Sequence, residues 1–204
     1  DWRQGHPLNS LHLEDVGGHF FVESITGSLR EPALIGKILR STGTPFAIFR
    51  NTMQGLKGFG GVPYCEPYSP AIFGVTAIAN GGQPCGYPFS YPIVLQKDTM
   101  KTVFQMFKER KDYIEGETVK YALLHYSQQN RDFRPSELAK NLGQTDAWEI
   151  GQKDAHGAYE MLNRSHILLD IVLDERLTRE TLDRYRVLFL SNSACLSDRQ
   201  CRDI

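Results

Sequence analysis

The apolar residues of this chain come in short blocks whose spacing switches between continuous and helical. Phe20, Phe21 and Val22 run without alternation and end at a carboxylate, Glu23, as in a strand covered on both faces. Small residues follow (Ser24, Thr26, Gly27, Ser28), and Pro32 suits a first helical position. Ala33, Leu34, Ile35, Ile38 and Leu39 then form one stripe at helical spacing, and Ser41-Thr42-Gly43 stops it. Pro45 opens a second apolar run, Phe46 to Phe49. Strand, crossover helix and strand at these lengths predict a right-handed parallel unit. Glu23 and the pair Arg50-Asn51 fall at the carboxyl ends of its strands, where function gathers in parallel α/β folds.

A Gly-rich aromatic stretch, TMQGLKGFGGVPYCEPYSP, follows, with no period of its own. Its GFGG lacks the frame of a phosphate loop. Ser69-Pro70 opens a helix with apolar residues at Ile72, Phe73, Val75, Ile78 and Ala79, stopped by Asn80-Gly81-Gly82. Gln83 to Tyr87 is a candidate short strand, and Asp98 is the expected N-cap of a helix running to about Ile114. Glu115-Gly116-Glu117 breaks that helix, which puts a domain boundary between residues 1–116 and 117–204.

Beyond the boundary the α/β alternation restarts. Val119 to Tyr126, Ile167 to Leu173 and Val187 to Leu190 read as strands. Between them lie a polar stretch from Ser127 to Pro135, a weak helical segment from Ser136, a helix from Asp154 and a short helix capped by Thr178. A last helix begins in SDRQCRDI. This order predicts the first three strands of a doubly wound, flavodoxin-like sheet.

Composition narrows the partners. The net charge is −1 and charged residues make up 23% of the chain, so nothing points to nucleic acid. No apolar run approaches the roughly 20 residues of a membrane span. Cys65, Cys85, Cys195 and Cys201 form no CxxC pair, which favours free thiols over a disulfide or a metal and inclines the compartment towards the cytoplasm, otherwise unknown. His6, His12, Glu14, Asp15 and His19 cluster in a polar opening segment, but their spacing fits a solvated active-site loop better than a zinc or iron site. The chain starts without methionine and stops inside an expected helix, as a fragment of a longer protein would.

RVLFLSNSACLSDRQ resembles the strand and turn of the β-galactosidase trimerisation domain, the amidotransferase-like module that follows the barrel in family 42 glycoside hydrolases. KYALLHYSQQNRDF resembles that module's first strand. SPAIFGVTAIANGGQPCGYP looks like the seventh helix and eighth strand of such a barrel, and its Ile78-to-Gly82 turn is similar to that of the relatives called hypothetical glycosyl hydrolase family 6. The resemblance implies a partial (β/α)₈ barrel, its last three strands, over 1–116, followed by a partial flavodoxin-like, amidotransferase-like doubly wound domain over 117–204. It also implies a carbohydrate substrate and a homotrimeric parent.

The chemistry expected is glycoside hydrolysis by paired carboxylates, with no cofactor and no metal. Glu23 is the catalytic candidate in this chain, with Glu66 or the strand-four carboxylate that the resemblance places outside it as its partner. Arg50 is expected to hold Glu23 ionised. Arg50, Asn51, Phe59, Tyr64 and Glu66 are the substrate-binding candidates, because aromatic faces beside a carboxylate suit a pyranose. Family 42 enzymes place their nucleophile where this chain has Arg50-Asn51, so the rival is a carbohydrate-binding scaffold without catalysis. Cys195 lacks the glycines of an amidotransferase nucleophile, and His125 reads as a polar edge residue.

Overall fold

A computed structural model describes residues 20–24, 30–50, 69–84, 93–114, 116–133 and 147–204. The chain divides between Glu117 and Thr118 into two compact units. Each contains a three-stranded parallel sheet with helices, so the fold class is mixed α/β.

In the first unit β1 (Phe20–Ser24), β2 (Phe46–Arg50) and β3 (Gln83–Pro84) lie side by side in chain order. No closed barrel is evident among the described residues. Pro84 has no amide hydrogen to give, which suits the outer position of β3 in this row. Cys85 to Tyr87, the rest of the expected strand, lie outside the described residues.

Helix α1 (Arg30–Thr42) joins β1 to β2, and α2 (Ser69–Ala79) and α3 (Ile93–Glu109) follow, with a single turn, α4 (Lys111–Ile114), at the end. Helix α1 starts at Arg30, so Pro32 is its third residue rather than its first. That position is tolerated because no amide of the first turn has an intrahelical acceptor. Asp98, expected as a cap, lies inside α3, which begins at Ile93, and the Asp98 carbonyl accepts from Thr102 Oγ1 at 3.0 Å. The apolar Ile93-Val94-Leu95 run supplied the extra turn that a cap-based reading cuts off.

Leu34, Ile35 and Leu39 of α1, Ala77 and Ile78 of α2, Phe46 to Ile48 of β2 and Val103 of α3 are buried and form this unit's core. Gly36 permits the contact between α1 and the end of α2: a Cβ there would lie 2.7 Å from Asn80 Cβ. Helix α2 closes with the Gly82 amide donating to Ala77 O at 2.8 Å and the Gly81 amide to Ile78 O at 2.9 Å. This six-to-one, five-to-two pattern needs a left-handed residue, and Gly81 takes it at φ 83°.

In the second unit β4 (Ala122–Tyr126) is central, with β5 (Leu169–Leu173) on one side and β6 (Val187–Phe189) on the other, all parallel. Every residue of β4 is buried, as expected for a strand paired on both edges and covered on both faces. His125 is therefore a core residue and not a polar edge residue. A short helix, α5 (Gln128–Phe133), follows β4 where only a polar stretch was expected. It forms because Ser127 Oγ accepts the Asn130 amide at 3.0 Å, an N-cap that its apolar pattern could not announce.

Helix α6 (Ala147–Arg164) begins seven residues before Asp154, and the weak helical segment from Ser136 to Gly143 lies outside the described residues. After β5 come a 3₁₀ turn (Asp174–Arg176), α7 (Arg179–Leu182) with the expected Thr178 cap, β6, and α8 (Asp198–Asp203). Ser197 and Gln200 cap α8 reciprocally in a capping box. At the amino end of β5, Asp170 Oδ2 accepts from Thr118 Oγ1 at 2.5 Å, Tyr185 Oη at 2.8 Å and Lys120 Nζ at 3.2 Å.

Helix α6 ends in the same hydrogen-bond pattern as α2. The Ile167 amide donates to Leu162 O and the His166 amide to Asn163 O, both at 3.1 Å. Here the left-handed residue is His166, at φ 54°, exposed to solvent. A side chain in that conformation costs roughly 1–2 kcal/mol relative to the right-handed one. His166→Gly is expected to raise unfolding free energy by about 1 kcal/mol, measured by urea titration. A loss of stability would show that the His166 ring contributes more than its backbone costs.

Candidate functional site

Strand order reverses at β4: the chain first adds β5 on one side, then β6 on the other. The loops leaving the carboxyl ends of β4 and β6 therefore part, and such a crevice is the usual binding place in an open parallel sheet. Three loops meet there. The first is Ser127 with α5, the second is the turn at Asp174, and the third runs from Leu190 to Ser197.

Asp174 is the common acceptor. Its Oδ1 receives His125 Nε2 at 3.0 Å and Ser127 Oγ at 2.8 Å. Its Oδ2 receives the first two amides of α5, Gln128 at 2.6 Å and Gln129 at 3.0 Å. Four donors satisfy a carboxylate whose side chain is only 4% exposed. Its backbone carbonyl accepts from Gln200 Nε2 at 2.7 Å, which ties α8 to the same turn. Burial pushes the Asp174 carboxyl up. The hydrogen bonds from His125, the Gln129 amide and Ser127 together outweigh that and hold it below the usual carboxylate range.

His125 continues the chain of contacts. Its side chain is 0% exposed, and Nδ1 lies 2.7 Å from Ser193 Oγ. An ionised Asp174 can only accept, so Nε2 carries a proton. In the neutral ring Nδ1 is then an acceptor, and Ser193 Oγ–H donates to it. Ser193 is half-buried and stands just after β6, following Asn192 at φ 57°.

Two amides hold the loop in shape. Asn130 Nδ2 donates to Asn192 O while Asn130 Oδ1 accepts the Cys195 amide at 2.9 Å. Asn192 Nδ2 donates to Asp154 Oδ2 of α6. Cys195 and Cys201 are free thiols, and Cys65 and Cys85 lie outside the described residues.

Sequence patterns signalled none of this network. Its members come from five separate stretches, each with a bland local explanation. The one available signal was a polar residue, His125, inside an otherwise apolar strand.

The candidates from the first unit are placed only by their backbone. Glu23 is the fourth of the five residues of β1, and Arg50 closes β2. The register sets Glu23 beside Phe49 and Ser24 beside Arg50. Asn51, Phe59, Tyr64 and Glu66 lie outside the described residues, as do His6, His12, Glu14, Asp15 and His19. Among the described residues no cluster of three or more His, Cys, Asp or Glu could hold a metal, and no helix is long and apolar enough to cross a membrane. No family model, curated protein or solved structure matches this chain.

Asp174→Asn replaces an acceptor of four donors by a group that must present an NH₂ to one side. The expected loss of stability is about 3–5 kcal/mol, the cost of breaking a buried pair, read as a lower urea midpoint. The pH dependence follows from the depressed folded-state value. Asp174 contributes its stability above the unfolded-state pKa of about 3.9, and that contribution is lost as pH falls through the lower folded value. Asp170 is pushed up by burial but lowered on balance by Thr118, Tyr185 and Lys120, and so acts in the same window. Wild-type stability is expected to fall below about pH 4, with a shallower acid limb in Asp174→Asn. Identical acid limbs in the two proteins would remove Asp174 as a cause.

Proposed function

We propose that this chain belongs to a glycoside hydrolase-like protein. In this reading β1, β2 and β3 with their helices are the last three strand–helix units of a (β/α)₈ barrel. Residues 117–204 are then the opening part of a flavodoxin-like, amidotransferase-like module that serves trimerisation. The observation that carries the reading is the pair of topologies. Three parallel strands in chain order precede a sheet whose order is β5-β4-β6, as consecutive barrel strands followed by a doubly wound domain would.

The reaction is hydrolysis of a glycosidic bond by two carboxyl groups, with no cofactor. Glu23, near the carboxyl end of β1, is the nucleophile or base. Its partner is Glu66 or a carboxylate on a further barrel strand. The pair stands about 5–5.5 Å apart for retention or about 6.5–9.5 Å for inversion. Arg50, at the end of the adjacent strand, holds Glu23 ionised, and Arg50 and Asn51 serve the sugar hydroxyls. Phe59 and Tyr64 supply stacking faces. The ending of β2 on Arg50, where a family 42 barrel carries its nucleophile, favours one second reading, a barrel that binds sugar without cleaving it.

The test is made in the intact protein that carries this chain. Glu23→Gln is expected to lower kcat on an aryl glycoside at least about 1,000-fold, a loss of over 4 kcal/mol of transition-state stabilisation. Retained sugar binding by calorimetry would complete the case. A wild type that binds sugars but turns over none of a broad aryl-glycoside panel would establish the binding reading in its place. Light scattering is expected to give a trimer, and a monomer would count against the module assignment.

A further inference from the structure

The hydrogen-bonded line Ser193–His125–Asp174 has no part in glycoside hydrolysis, and its geometry goes beyond what a structural tie requires. Asp174 would be satisfied by Ser127, the two α5 amides and His125 alone, and Ser193 adds nothing to it. Ser193 Oγ instead lies 2.7 Å from the far nitrogen of a ring whose other nitrogen is fixed by a carboxylate, and donates to it when that ring is neutral. That is the arrangement of an activated nucleophile: hydroxyl, base and a third group that fixes the base's tautomer.

Three further observations bear on it. Ser193 is half-buried while the His125 and Asp174 side chains are covered, so Ser193 is the one residue of the line that is exposed in part. It sits after a strand at the switch point of the sheet, in a turn that holds the non-glycine Asn192 at positive φ. The Ser191 hydroxyl, two residues before it, is buried without a partner among the described residues.

We propose that Ser193 is a nucleophilic serine with His125 as its general base and Asp174 as the positioning carboxylate, acting on carboxylic esters. Ser193 Oγ attacks the ester carbonyl carbon as its proton passes to His125 Nδ1, and the carbonyl π pair moves to oxygen. Collapse of that adduct expels the alcohol, which takes the proton from Nδ1 and leaves an acyl-serine. Water then repeats the two steps, loses its proton to Nδ1 and releases the acid, and Ser193 recovers a proton.

The turn limits the rate. The Ala194 amide donates to Asn192 O at 2.9 Å and the Cys195 amide to Asn130 Oδ1, which leaves the Ser193 amide uncommitted among the described residues. One oxyanion donor in place of two costs about 100- to 1,000-fold. The site therefore acylates readily with activated electrophiles and turns over slowly.

The test is labelling of this chain by an alkyl fluorophosphonate, followed by peptide mass spectrometry. The expected result is one phosphonyl group on Ser193, added at least about 100-fold faster in the folded chain than in the same chain in urea. Ser127, Ser197 and the other serines serve as internal controls. Ser193→Ala is expected to abolish the adduct with an unchanged circular dichroism spectrum, and His125→Gln, if folded, to slow labelling by about 100-fold. The comparison of folded with unfolded wild type is decisive even where His125→Gln fails to fold. A folded wild type with no adduct on Ser193, or with Ser193 labelled no faster than in urea, overturns the proposal. A para-nitrophenyl acetate burst that is lost in Ser193→Ala would support the nucleophile by a second route, and neither result depends on Glu23.

Discussion

A single buried carboxylate, Asp174, organises the carboxyl end of the second sheet. An ionised group at this depth is costly unless nearly every lone pair finds a donor. Here the donors come from a central strand, from the start of a helix and from the serine that caps that helix. Each is held in place by something else: His125 by its strand, the α5 amides by Ser127, and the turn itself by Gln200. The position of Ser193 is a consequence of that chain of dependence and not of any strong local preference in its own loop.

The two units carry different kinds of candidate chemistry on similar scaffolds. Both offer carboxyl ends of parallel strands, yet one has Glu23 near the carboxyl end of β1 and the other a buried relay at a reversal of strand order. The first depends on the succession of elements and the second on interatomic distances, so they stand or fall separately. Fold alone would assign neither, because parallel α/β sheets host unrelated reactions.

How much of this was legible in the sequence depended on whether a feature was local. The strands at Phe20, Phe46, Leu123, Ile171 and Val187 were legible because short apolar runs bounded by polar and turn residues mark strands, and the parallel α/β character followed from the helices between them. The Thr178 cap and the Gly81 stop were legible for the same reason, since each is fixed by one residue type at one backbone position. Helix starts were less so: α3 and α6 begin upstream of Asp98 and Asp154, because a capping residue type does not by itself fix where a helix begins. Helix α5 was hidden by its polar composition. The Asp174 network was hidden more thoroughly, since the contacts of the Asp174 carboxylate and the His125 ring span 45 to 68 residues and hydrogen-bond geometry has no sequence period.

Strand β5 has a buried or half-buried carboxylate at each end. Asp170 gathers Thr118, Lys120 and Tyr185 on one side, and Asp174 gathers His125, Ser127 and α5 on the other. A slip of one residue against β4 would turn the strand's apolar residues to the wrong face and pull both carboxylates from their donors at once. Neighbouring registers are thus separated from the native one by two ionic penalties as well as by lost packing. The polar groups of this strand act as a ruler for its alignment, which suits a strand that is only five residues long and, among the described residues, paired along one edge.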